Sequence, residues 1–188
     1  MIGANRFLRD PPPHSLARSA YSVEVNPWSP REDVEAAIFF RGAIVSAFGN
    51  IEARLGELCI RASRIPVYDA LRDRFPHPTS KRIAYLRQVF ATGPLATWEA
   101  TATRYLDRFQ AGEELRNLVA HSQMQVLPDW GVTLRDFPSA DRAGIQTRSR
   151  RLTLPEIEIV AWRAARLSRL GQHLFDLLES TGILPQYE

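Results

Sequence analysis

Lysine is almost missing from this chain of 188 residues: Lys81 is the only one among 24 basic side chains. Nearly every positive charge is therefore a guanidinium, a planar fork that suits phosphate and keeps its proton near neutral pH. Phosphate recognition and a plain compositional bias toward arginine both account for it, and a net charge of +3 does not by itself point to nucleic acid. Cysteine is equally scarce. Cys59 stands alone, so no internal disulfide forms and nothing points to secretion. The start, Met1 to Arg6, has no apolar core of signal-peptide length, and no window approaches the roughly 18 apolar residues of a membrane span. These absences lead to an expectation of a cytoplasmic protein with no membrane segment. Zinc-ligand spacing, a glycine-rich phosphate loop and a nucleophile elbow are also absent, so no metal and no cofactor is expected.

What is present reads as one mainly α-helical domain. Residues 1–28, with Pro11 to Pro13 and Pro27, read as an extended or flexible N-terminal arm, and 29–184 as a single helical domain. Ser29, Pro30 and Glu32 spell a capping box that opens a helix running to about Ala62. Its apolar stripe is Ala37, Phe40, Ile44, Phe48, Ile51, Leu55 and Leu58. Gly42, Gly49 and Gly56 recur every seven residues, a spacing that predicts close approach of another backbone. A proline-bearing loop over 66–79 precedes a short helix, capped by Thr79 or Ser80, that reaches about Ala91. A helical pattern from Leu95 to His121 has Trp98, Tyr105, Phe109, Leu115 and Leu118 on its core face. Gly112 leaves open whether this is one helix or two. Beyond it the period changes. Met124 and Val126, then Val132 and Leu134, alternate like strands about a turn at Asp129, Trp130 and Gly131. A polar loop at 138–146 leads to a third strand from Thr147 to Leu152. Thr153, Pro155 and Glu156 then open the last helix, whose core face holds Ile157, Val160, Ala164, Leu167, Leu174 and Leu178. The expected fold is a helical bundle of about four helices with a small antiparallel β meander before the last one.

One constellation carries chemistry: Arg116, Asn117, Leu118, Val119, Ala120 and His121. Spacing alone does not single it out, since Arg9 to His14 and Arg72 to His77 match it. Those two pairs lie among prolines that prevent a helix. Arg166 to His173 lacks the neighbouring Asn and Ala and is interrupted by Gly171. On a helix Asn117 and His121 share a face, while Arg116 sits about 140° around and about 7.5 Å below His121. A long arginine covers that distance.

The RNLVAH segment at the end of a long helix resembles the motif of the HEPN superfamily, an Arg followed after four to six residues by His, often with Asn after the Arg and Ala before the His. The resemblance implies a metal-independent endoribonuclease acting as a homodimer on single-stranded RNA or tRNA, in a toxin or phage-defence role with an antitoxin or other protein partner. It implies His121 as general acid or base, Arg116 as stabiliser of phosphoryl charge, and Asn117 as the residue orienting His121 or the phosphate. Many relatives are inactive, so a non-catalytic dimer that binds a protein or a nucleotide is the alternative. Glu52, at the edge of the first helix's apolar face, is a supporting residue with Arg116 or Arg41 as its partner. Arg148, Arg150 and Arg151 form a candidate RNA-backbone contact or a charged strand edge.

Overall fold

The computed structural model describes residues 23–25, 29–71, 78–127, 131–141 and 144–186. Its elements are β1 (Val23–Val25), α1 (Arg31–Ala62), a 3-10 segment (Pro66–Leu71), α2 (Thr79–Ala91), a second 3-10 segment (Gly93–Trp98), α3 (Glu99–His121), β2 (Gln123–Leu127), β3 (Gly131–Asp141), β4 (Gly144–Leu152) and α4 (Leu154–Ser180). The protein is mainly helical, with an antiparallel meander placed before the last helix. Two compact units divide it: Met1–Val45 with Glu114–Arg163, and Ser46–Glu113 with Ala164–Glu188.

The first unit contains the sheet, in the order β1-β2-β3-β4. Its buried face follows strand alternation, with Met124, Val126, Val132 and Leu134 all at or below 1% exposure. Val34, Ala37, Ile44, Leu118, Val119, Ile157 and Ala161 supply the rest of this unit's core. Most of the expected N-terminal arm, residues 1–22 and 26–28, lies outside the described residues. Val23–Val25 is extended and pairs parallel to β2, with Val23 opposite Met124. The Ser29 hydroxyl donates 3.2 Å to the Val126 carbonyl, a strand acceptor 97 residues away. The expected loop at 138–146 is mostly ladder, with Ser139 opposite Gln146 and Asp141 opposite Gly144. The register slips between Asp136 and Ser139, where Pro138 has no N–H to give. Gly131 opens β3 with φ of 88°, and a Cβ there would strike the Leu152 carbonyl and Thr153. The other two residues of the expected turn, Asp129 and Trp130, lie outside the described residues.

At the start of α4 the capping box is fully formed. The Thr153 N–H donates 2.7 Å to Glu156 Oε2, and the Glu156 N–H donates 3.3 Å to Thr153 Oγ1. Those bonds, the backbone N–H foremost, hold the Glu156 carboxyl below the usual carboxylate range.

The second unit is a bundle made of the second half of α1, α2, the first part of α3 and the second part of α4. Ile51, Leu55, Leu58, Leu86, Phe90, Leu106, Phe109, Leu174 and Leu178 are buried in it, and the Phe48 and Phe109 rings stand 5.6 Å apart. Arg61 is 3% exposed. It is held by Glu179 at 2.5 Å and by the Pro185 carbonyl at 2.8 Å, over the Phe175 ring at 5.2 Å. Where a loop was expected at 66–79, Pro66–Leu71 is a 3-10 segment that buries Tyr68. The Tyr68 hydroxyl donates 3.0 Å to the Thr92 carbonyl and accepts 3.2 Å from the Leu95 N–H, a long-range pairing that stabilises the turn. Neither Thr79 nor Ser80 caps α2; Pro78 takes the N-cap position with no side-chain bond.

The heptad glycines do not meet a backbone. Among the described residues a Cβ at Gly42 or Gly49 has nothing within 4 Å, and one at Gly56 meets only the Arg82 guanidinium at 3.2 Å. The tight helical glycines are Gly112, against the Phe48 ring, and Gly171, against the Tyr105 ring. α3 runs unbroken through Gly112, so the pattern from 95 is one 3-10 turn followed by one helix. Contrary to the expectation that no window reaches membrane-span character, α1 is long and apolar enough to cross a membrane, with an 18-residue window of mean hydropathy 1.4. Its apolar positions serve a packed face instead, with Ile44, Phe48, Ile51 and Leu55 all buried, a use compatible with a soluble protein.

Candidate functional site

The last turn of α3 is anchored from within its own unit. Leu118 and Val119 are buried, at 7% and 0% exposure, and the Ser122 N–H closes the helix on the Leu118 carbonyl at 2.9 Å. Helix ends leave carbonyls without intrahelical donors. Here Arg41 of α1 serves them: its Nη2 donates 3.3 Å to the Ala120 carbonyl and 2.9 Å to the Ser122 carbonyl. Burial lowers the Arg41 guanidinium from its ordinary value. A cation at a helix C-terminus also sits at the favourable end of the macrodipole. The sequence suggests Arg41 only as a partner for Glu52. Its reach across 79 and 81 positions leaves no local signature.

Around this anchor the three motif side chains take different environments. Arg116 and Asn117 are half-buried, and His121 is exposed as the last residue of α3. Arg116 Nη1 donates 2.7 Å to Asn117 Oδ1. Asn117 is thereby bound to its neighbour Arg116, and its amide nitrogen is the group left to donate elsewhere. The Ser122 hydroxyl is buried beside His121 with no hydrogen-bond partner among the described residues. The helix end thus carries an Arg–Asn pair fixed in place and an imidazole open to solvent, a set that suits an oxyanion and proton transfer.

Glu52 lies in the second unit, half-buried, with its carbonyl accepting 3.4 Å from Arg82 Nη1. Its pairing with Arg116 stays an expectation of the sequence. The three strand arginines are not a single cluster. In β4 Arg148 and Arg150 sit on one face, opposite Asp136 and Leu134, while Arg151 points the other way, opposite Thr133. Arg148 Nη2 is bound to Asp136 Oδ2 at 2.8 Å. Among the described residues no group of three or more His, Cys, Asp or Glu side chains is placed to hold a metal ion. No family model, no curated protein and no solved structure matches this chain.

Proposed function

We propose that this chain is a metal-independent endoribonuclease of the HEPN type, a cytoplasmic homodimer that cuts single-stranded RNA or tRNA in a toxin or phage-defence role. The observation that carries the reading is the bonded Arg116–Asn117 pair on the last turn of α3, which ends on the exposed His121. In the proposed reaction His121 takes the proton of the ribose 2′-hydroxyl or protonates the leaving 5′-oxygen, and solvent water carries the other proton. The 2′-oxygen attacks phosphorus and the bond to the 5′-oxygen breaks. The upstream fragment then ends in a 2′,3′-cyclic phosphate and the downstream one in a 5′-hydroxyl. Arg116 meets the charge that builds on the phosphoryl oxygens. Phe39, 70% exposed, and Trp162, 61% exposed, belong to the same unit as the motif and offer apolar surface to a second copy. Light scattering that finds a monomer at tens of micromolar would count against the dimer.

The rival reading is a non-catalytic dimer binding a protein partner or a nucleotide. It is favoured by one feature: no side chain among the described residues hydrogen-bonds His121 to fix its tautomer. Purified wild type and His121→Ala, incubated with tRNA and with unstructured RNA in EDTA, separate the two. The nuclease reading expects cleavage by wild type, a cyclic-phosphate end, and a rate lower by about 10²- to 10⁴-fold in the variant. Undiminished cleavage by a folded His121→Ala protein ends the reading, and an inert wild type transfers it to the binding module.

A further inference from the structure

A second site of different chemistry lies wholly in the second unit, between α3 and α4. A cleft of about 180 Å³ opens there. Its apolar part is the Tyr105 ring with Leu170 and Leu177, and its polar part is Arg104, Arg108 and His173. Leu170 and Leu177 are 40% and 36% exposed, so this apolar surface faces the opening instead of the core. Arg104 and Arg108 are four residues apart and project from one face of α3. Arg104 engages only Nε, at 3.1 Å on the Ala100 carbonyl. Arg108 and His173 make no hydrogen bond or ion pair with the described residues. No lining residue is a carboxylate. Elsewhere in this unit Arg87 has Asp107 and Arg61 has Glu179 as acidic partners.

From this arrangement we infer that the cleft binds a small phosphate monoester with a ring-sized apolar body, the phosphate held by Arg104, Arg108 and His173 and the body laid on Tyr105 and Leu170. The size fits, since a cavity of about 150 Å³ accommodates a benzene ring. The charge fits as well: a monoester carries about −1.5 to −2 at neutral pH, and two guanidiniums with no competing carboxylate match it better than they match a single carboxylate. The inference does not depend on the Arg116 to His121 motif.

The probe is phenyl phosphate, titrated into the full chain while the His173 ring signals are followed by NMR and the heat by calorimetry. Inorganic phosphate, phenol and benzoate are the comparators. Expected are saturable binding of phenyl phosphate with a shift of the His173 signals, weaker binding of benzoate, and none by phenol or phosphate at the same concentration. Arg104→Gln and Arg108→Gln each weaken phenyl phosphate by about 5- to 10-fold, the strength of one charge-assisted hydrogen bond at an open site. Both arginines are exposed, so an unchanged melting temperature accompanies the loss. Phosphate binding as tightly as phenyl phosphate reduces the site to a basic surface and overturns the proposal. Phenol binding as tightly reduces it to an apolar dent and overturns it equally. Absence of saturation at millimolar phenyl phosphate, or affinity unmoved in both arginine variants, also refutes it.

Discussion

Alanine in place of glycine should raise stability at Gly42 and Gly49 and lower it at Gly171, although all three lie inside helices. In a helix interior alanine is favoured by about 0.8 to 1 kcal/mol. At Gly42 and Gly49 the new methyl meets nothing within 4 Å among the described residues, so that gain is kept. At Gly171 the methyl carbon would stand 2.6 Å from Tyr105 Cζ and 3.0 Å from Cε2, with the phenol oxygen nearer still. A rigid ring cannot withdraw as the tip of a flexible chain can, and overpacking of this kind costs about 1 to 3 kcal/mol. The net is a loss of up to about 2 kcal/mol, leaving Gly171→Ala about 1 to 3 kcal/mol below Gly49→Ala. Urea denaturation at constant slope reads this as a difference in midpoint. Tyr105→Phe removes the atom that lies closest, so the double variant should recover part of the loss and show a coupling of about 1 kcal/mol. The phenol makes no hydrogen bond among the described residues, and burial raises it well above its ordinary value despite the nearby Arg54 cation, so deleting it alone should cost little. If Gly171→Ala stabilises as much as Gly49→Ala, the packing of α4 against the Tyr105 ring is not as described.

Three further outcomes follow from the polar anchors. Arg61→Ala removes the ion pair to the half-exposed Glu179 and the bond to the Pro185 carbonyl, so a loss of about 1.5 to 3 kcal/mol is expected by urea denaturation. Arg41→Ala uncovers the Ala120 and Ser122 carbonyls. It should cost about 1.5 to 3 kcal/mol and speed exchange of the Ser122 amide before that of the second unit, whereas uniform acceleration would mean that Arg41 has no local role. Glu156 is held below the usual carboxylate range in the fold, so its contribution is present above the ordinary glutamate value and is lost as pH falls through the depressed one. Wild type should therefore lose more stability than Glu156→Gln over that acidic window, and parallel pH curves would count against the capping box.

The elements that were legible in the sequence are those whose causes sit within a few residues. The Thr153–Glu156 box forms as written because both bonds close over three positions. The alternation of Met124, Val126, Val132 and Leu134 becomes the buried sheet face for the same local reason. Ser29 carries equally good cap chemistry, and its hydroxyl also reaches a strand carbonyl that no local pattern reveals. The heptad of Gly42, Gly49 and Gly56 suggests an interface, yet the contacts that exclude a side chain are made at Gly112 and Gly171 by Phe48 and Tyr105 from other helices. The candidate site divides along the same line. The Arg116–Asn117 bond and the terminal position of His121 follow from six consecutive residues. The separation of Arg151 from Arg148 and Arg150 follows from a strand period of two, a local signal already present in the sequence. What holds the motif turn in place, the Arg41 guanidinium on two carbonyls about 80 residues away, has no periodicity to read. That anchor is also what ties the site to the fold: α1 positions the end of α3 through one side chain, so the geometry of His121 depends on a residue outside the motif.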